Sequence, residues 1–241
     1  MPTIPSLEDM LQAGVHFGHQ TSRWHPKMAP YLFGSRSGVH IIDLETTQKK
    51  LAEALDFVKS VVARGGQVLF VGCKRQAKDL VREAAVSAGM PFVTERWLGG
   101  TLTNFAQIKK SIKRLKTLKE QQEKGELRKY TKKEQLLIAR EIMEMEEKLG
   151  GIADMEKLPE AMFVVDVRHE KTAVEEARET GTKIVALCDS NVNPEFVQYV
   201  IPANDDAVKG IALMTRLVAE AVKEGKAEAA KAAVPAPKKA A

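Results

Sequence analysis

Gly65-Gly66-Gln67-Val68-Leu69-Phe70-Val71-Gly72-Cys73-Lys74-Arg75 is the stretch that decides the fold. Four consecutive apolar residues between polar, glycine-marked ends describe a strand buried on both faces, the habit of a parallel sheet under two helical layers. Upstream, Val39-His40-Ile41-Ile42 reads as a strand and Asp43-Leu44-Glu45-Thr46 as a helix entry. Leu51, Ala54, Leu55, Val58 and Val62 keep helical spacing until Gly65-Gly66. Downstream, the pattern predicts a helix from about Gln76 to Ala88 and a short extended piece at Phe92-Val93. It then predicts strands at Ala161–Val165, Lys183–Leu187 and Val197–Ile201, with helices at Lys171–Glu179 and Asp205–Lys223. Such alternation predicts an α/β fold: a doubly wound, mostly parallel sheet of about five strands in three layers, flavodoxin- or Rossmann-like, with right-handed connections.

One segment breaks the rhythm. Phe105, Ile108, Ile112 and Leu115, then Ile138, Ile142, Met145 and Leu149, carry heptad spacings on two arms, and Glu123-Lys124-Gly125-Glu126 can turn the chain between them. The expectation is an antiparallel α-helical coiled-coil hairpin, residues 105–149, inserted into a sheet domain made of 1–104 and 150–224. Arms of about 18 residues would reach roughly 27 Å at 1.5 Å per residue. The segment also holds the charge. Of the chain's 37 Lys and Arg, 13 lie between Phe105 and Leu149, against 8 of its 32 Asp and Glu. The remainder has 24 of each, so the whole excess of +5 belongs to the insertion. Lys109–Lys133 carries 11 basic and 3 acidic residues, while Glu134–Glu147 carries 5 acidic and 1 basic. Cross-arm ion pairs would explain some of this, but so steep a skew favours an anionic partner along the first arm. Residues 225–241 are rich in Ala, Lys and Pro and are expected to be a flexible tail.

In 241 residues with 44% hydrophobic and 29% charged content there is chain enough for a real core and no apolar run near the roughly 20 residues of a membrane helix. The start has neither a basic nor an apolar signal region. Two cysteines, Cys73 and Cys188, without a C-x-x-C, argue against a disulfide scaffold and for a reducing cytoplasm. Enzyme motifs are absent. The turn after Val71 has one glycine and no G-x-G-x-x-G, no P-loop exists, and there is no G-x-S-x-G elbow. Cys188 reads as a buried structural thiol. His19 with Asp189, Asp205 and Asp206 would supply donors for a divalent ion. No H-E-x-x-H spacing supports one, however, and Asp205 and Asp206 are explained as caps of the last helix. No cofactor, metal or small-molecule substrate is expected. A nucleotide- or metal-dependent enzyme near Gly72, Asp189 and Asp205 is the rival reading, and a coiled-coil adaptor without an RNA role a third.

The sequence instead places cations beside aromatics in loops. His16, Phe17, His19, Arg23, Trp24 and Lys27 fall in one stretch, Arg36 in the small-residue run Gly34–Gly38, and Lys74 and Arg75 just after a strand. Arg96, Trp97 and Asn104 lie at the hairpin root, and Lys109, Lys110, Lys113, Arg114 and Lys116 on its first arm. Phosphate-binding cations with flat rings suit unpaired RNA. Core packing is the competing explanation for Trp24 and Trp97, and a surface ion pair for each lone arginine.

Several of these stretches carry a family resemblance. Val15-His16-Phe17-Gly18-His19-Gln20-Thr21, Trp24-His25-Pro26-Lys27-Met28, Val39–Leu44, Phe70–Arg75, Arg96-Trp97-Leu98-Gly99-Gly100-Thr101-Leu102-Thr103-Asn104, Leu149-Gly150-Gly151-Ile152 and Ile201–Ala207 resemble the signatures of the bacterial small-subunit ribosomal protein S-two family. The likeness spans about Leu7 to Val222. It implies a sheet plus coiled coil, no enzymatic activity, and binding to small-subunit ribosomal RNA between head and body. It also implies neighbouring small-subunit proteins as partners, among them the OB-repeat ribosomal protein S-one that recruits messenger RNA. Cys73 stands where a threonine is common. The basic, Ala-rich tail replaces an acidic end, which withdraws any tail contact from what the resemblance implies.

Overall fold

The structure, a computed structural model, describes residues 3–233. Its centre is a five-stranded, wholly parallel sheet in the order β5-β4-β6-β7-β8, formed by β4 (Val68–Val71), β5 (Phe92–Val93), β6 (Ala161–Val165), β7 (Lys183–Cys188) and β8 (Tyr199–Pro202). The apolar run that decided the fold is β4, and all four of its residues are buried. Alternate residues serve opposite faces. Val68, Phe70, Phe163, Val185 and Ile201 pack in one core with α2 (Leu44–Ala63), α3 (Lys78–Ala88) and α7 (Val208–Ala233). Leu69, Val71, Met162, Val164 and Ile184 pack in a second core with α6 (Lys171–Thr180) and the roots of α4 (Phe105–Glu123) and α5 (Lys132–Leu149). That is the doubly wound arrangement.

α4 and α5 are the two expected arms. Ile108, Ile112 and Leu115 on the first and Ile142 and Leu149 on the second are buried, so the apolar stripe is the inward face. Gly125, at φ 71°, turns the chain, and Thr131 opens α5 with a capping box to Glu134. Ion pairs from Arg114 to Glu141 (2.7 Å) and from Lys119 to Glu146 tie the arms.

Four expectations are corrected. Val39–Ile42 is a strand, but it lies outside the parallel sheet. It is β3, the middle of a separate antiparallel sheet β1-β3-β2 with β1 (Phe17–Gln20) and β2 (Leu32–Arg36). Gly34–Gly38 is therefore not an open loop: Ser37 (φ 53°) and Gly38 (φ 77°) make the tight turn of a β2–β3 hairpin. Asp205 is buried and Asp206 pairs with Lys74, so neither is explained as a cap of the last helix, while Asn204 Oδ1 receives the N–H groups of Asp206 (2.7 Å) and Ala207 (3.2 Å) in a turn ahead of it. Finally, α7 continues to Ala233 because its Ala, Lys and Glu are strong helix formers with docking partners. Lys59 pairs with Glu228 at 2.7 Å, and Lys226 donates to the Gly89 carbonyl at 3.0 Å. Gly225 lets α2 approach, since a Cβ there would lie 2.7 Å from the Lys59 carbonyl. The expected flexible tail thus begins as helix, and residues 234–241 lie outside the described residues.

Candidate nucleic-acid interface

In the sheet order, β5 and β6 lie on opposite sides of β4, so the carboxyl ends of β4 and β6 flank the topological switch point, the usual ligand crevice of such folds. Here the chain fills it with its own side chains. The Lys74 ammonium, just past β4, contacts Asp166 Oδ2 (3.1 Å), Asp205 Oδ1 (2.8 Å) and Asp206 Oδ1 (2.7 Å). The Cys73 N–H donates to Glu170 Oε1 at 2.7 Å. Gly72 is no phosphate-loop glycine: a Cβ there would lie 2.8 Å from Val81, so its role is to let α3 close on β4. An anionic nucleotide would meet Asp166, Glu170, Asp189 and Asp205, all buried. Burial raises both cysteine thiols well above their ordinary range, and the neighbouring carboxylates add to it, which keeps Cys73 and Cys188 protonated and poorly nucleophilic.

The small antiparallel sheet closes over this cluster. His19 Nδ1 lies 3.1 Å from Asp189 Oδ2, and its backbone N–H donates to Ser190 Oγ at 2.8 Å. Gly18 permits the approach, because a Cβ there would lie 2.9 Å from Ser190 Oγ and 3.1 Å from the His40 carbonyl. The hydrogen bond to Asp189 raises the His19 pKa above 6.5 despite its burial, and Asp205 and Asp206 reinforce the rise. Burial and the charges of Asp166 and Asp189 raise Asp205 to about 7, against the pull of Lys74. Burial would lower Lys74, but its hydrogen bonds to Asp205 and Asp206 hold it above the usual lysine range. His19, Asp205 and Asp206 each offer a ligand atom within 4.8 Å of the others, a nitrogen and oxygen set of the kind that holds a divalent cation. His19 meets Asp189 and Ser190 across 170 and 171 positions, which no spacing motif reveals.

The hairpin root is organised by a residue the sequence reading passed over. Glu176, buried on α6, accepts at Oε1 from the Trp97 indole (3.1 Å) and the Gly100 N–H (2.7 Å). Its Oε2 accepts from the N–H groups of Leu102 (2.9 Å) and Thr103 (3.3 Å) and from the Thr103 hydroxyl (3.3 Å). Burial alone would raise this carboxyl, but the donated hydrogen bonds prevail and hold it below 4.5.

The structure divides the expected RNA-binding set in two. Trp97 is 9% exposed with its N–H committed, so core packing accounts for it, whereas Trp24 is 38% exposed and leans on His40 at a ring separation of 5.1 Å. Lys74 is held by its three carboxylates, Lys27 by Glu195, Arg114 by Glu141 and Lys116 by Asp154. Lys109 donates to the Glu156 carbonyl and lies over the Phe105 ring. The His16 ring lies tilted against that of the half-exposed Phe17, with centroids 4.0 Å apart, and burial lowers the His16 pKa. Arg23, Arg36, Arg75, Arg96, Asn104, Lys110 and Lys113 are exposed. Phe33 on β2, 82% exposed beside Gly34, is a large uncovered aromatic that the sequence reading left out, hidden by the missing hairpin.

Fold and surface together define a doubly wound α/β scaffold with a charged helical insertion and a self-filled crevice. The chain matches the family described as Ribosomal protein S2 over residues 10–225, and it belongs to that family. It is 49% identical over 228 residues to the small ribosomal subunit protein uS2 of Solidesulfovibrio magneticus, covering 95% of this chain and 88% of that protein. It is 51% identical over 222 residues to the protein of the same name from Desulfovibrio desulfuricans, covering 92% and 86%. Membership makes it a ribosomal protein of the small subunit, a ribonucleoprotein component of translation, in a family that is not an enzyme family. No described helix is long and apolar enough to cross a membrane.

Proposed function

We propose that the protein is a non-catalytic clamp that binds small-subunit ribosomal RNA between head and body and helps dock the OB-repeat ribosomal protein S-one for recruitment of messenger RNA in the cytoplasm. The observation that carries the RNA reading is the set of exposed arginines at the carboxyl side of the sheet. Arg75 follows β4, Arg96 follows β5, and Arg23 ends the short 3-10 turn that follows β1 of the small sheet docked at the end of β7. Among the described residues none of these has an ion-pair partner, so their charges are available to phosphates. Trp24 adds a ring face for stacking. The hairpin, read as a coiled coil, extends the contact with Lys110 and Lys113. The S-one partnership rests on the family, and the filled crevice supports the absence of catalysis.

Sucrose-gradient sedimentation with and without ribonuclease tests the reading. The protein is expected to travel with the small subunit and to move to the top of the gradient after digestion. Sedimentation unchanged by ribonuclease would reject RNA as the anchor.

A further inference from the structure

The two outer edges of the central sheet are treated differently. At β5 the returning chain closes the edge, with Gly151 so near the Phe92 carbonyl that no Cβ fits between them. At β8 the edge is left open. Along a strand, alternate residues turn their peptide groups to opposite sides. Ala203 donates to the Cys188 carbonyl at 3.1 Å, so Tyr199 and Ile201 face β7, while Val200 and Pro202 face outward. Pro202 has no N–H, and its carbonyl is taken by the Thr47 hydroxyl at 2.6 Å. Val200 is then the β8 residue whose outward N–H and C=O both remain, and among the described residues neither has a hydrogen-bond partner.

This unpaired peptide group lies along a groove of about 570 Å³. α2 forms one wall through Lys50 and Glu53, and the turn Pro26–Tyr31 forms the other through Ala29, Pro30 and Tyr31. Both cores fix these walls. Tyr199 stacks on Phe57 of α2 at 4.0 Å, and Val200 belongs to the core against which Tyr31 and Leu32 pack. A merely solvated edge needs no such recess, and Pro202 protects only its own position from a pairing strand. The rim charges cancel: Lys50 pairs with Glu53 at 2.8 Å, and Lys27 pairs with Glu195. Nothing is left over there for a phosphate backbone. A second folded copy could not bring its own β8 edge in, because walls stand on both sides of the strand. One extended peptide fits, its backbone about 4.8 Å from β8 and its apolar side chains on the tyrosines.

We infer that the β8 edge is a docking groove for one extended, uncharged segment of a neighbouring small-subunit protein, which adds a strand by pairing with Val200 and seats apolar side chains against Tyr31 and Tyr199. This rests on membership of the small subunit and not on the RNA reading. A photoreactive benzoylphenylalanine is placed at Ala29 in one full chain and at Lys50 in another, and each is assembled into small subunits. Irradiation is expected to join both positions to the same run of about five residues, a usual strand length, in one other ribosomal protein. The Val200 amide should exchange its hydrogen at least about tenfold more slowly in the subunit than in the free chain. Ala29→Trp fills the groove from an exposed position. It should melt with the parent, abolish the Lys50 crosslink and restore fast exchange. Glu53→Trp, blocking from the opposite wall, should do the same to the Ala29 crosslink. Crosslinks to ribosomal RNA, to a second copy or to this chain's own residues 234–241 overturn the proposal, as does no crosslink at all. A crosslink that survives both blocks overturns it too, and so does a Val200 amide already protected in the free chain.

Discussion

The Trp97 indole N–H and the Glu176 carboxylate, 79 residues apart in the chain, are joined by a 3.1 Å hydrogen bond at the root of the hairpin. Glu176 draws the intervening loop around itself, and Trp97 is the one side chain of that loop that reaches it from within the core. Glu176→Gln would turn an amide donor toward a ring of donors, at a cost of about 2–3 kcal/mol. Urea unfolding at neutral pH measures it.

The same carboxylate gives a pH signature. Its folded pKa lies below 4.5, so its contribution is complete above that value and disappears as the pH falls through the folded pKa. The unfolding free energy of the parent should therefore decline more steeply below about pH 4.5 than that of E176Q. Parallel acid limbs would refute the assignment.

Lys74 holds three aspartates together, and Asp205 beside it is almost wholly buried. Lys74→Met leaves those charges uncompensated and should destabilise the fold by about 3–5 kcal/mol. Adding Asp205→Asn should recover more than about 1 kcal/mol of that loss in a double-mutant cycle. Strict additivity would show that the contacts are incidental.

The two tryptophans should separate in both stability and binding. Trp24→Ala should leave the unfolding midpoint nearly unchanged and weaken binding to small-subunit ribosomal RNA by about 1–3 kcal/mol. Trp97→Phe should lower stability and leave the salt slope intact. In the parent, acrylamide should quench Trp24 preferentially, and RNA should protect it.

Gly151 marks where α5 returns to the sheet. An added Cβ would fall on the Phe92 carbonyl and lie 2.7 Å from its ring, and Phe92 is paired with Phe70 in β5–β4 register. Gly151→Ala should cost about 1–3 kcal/mol through forced displacement of β5. Gly99→Ala, with nothing within 4 Å, is the matched control and should be neutral.

Much of this was legible along the chain, and its failures have physical causes. β4 and β6 throughout, and β7 after Lys183, are apolar because both faces are covered, so Val68–Val71 needed no context. The heptad spacing of Ile108, Ile112 and Leu115 likewise describes the face that is buried. β2 was missed because Leu32-Phe33-Gly34-Ser35-Arg36 is exposed over most of its length and lacks β-branched residues. The sequence of β3 shows a strand but not its sheet, because a four-residue strand does not state its partner. At the interface, residue type identified candidates but not their neighbours. Lys74 and Arg75 look alike in sequence, and only the fold shows that Asp166, Asp205 and Asp206 claim the first. Glu176 gave no signal, since a glutamate in an amphipathic helix reads as surface.

The docking of His19 on Ser190, across 171 residues, carries a consequence for how the chain is made. The three-stranded module is among the first parts to emerge during synthesis, yet its clasp lies near the end of the message. At roughly 5–20 residues per second, the module waits about 10–35 s for its anchor. The residues just past β7, and not the first strands, therefore set when the amino-terminal surface acquires its shape, and a chain halted before the end of β7 presents an unclosed N-terminal sheet.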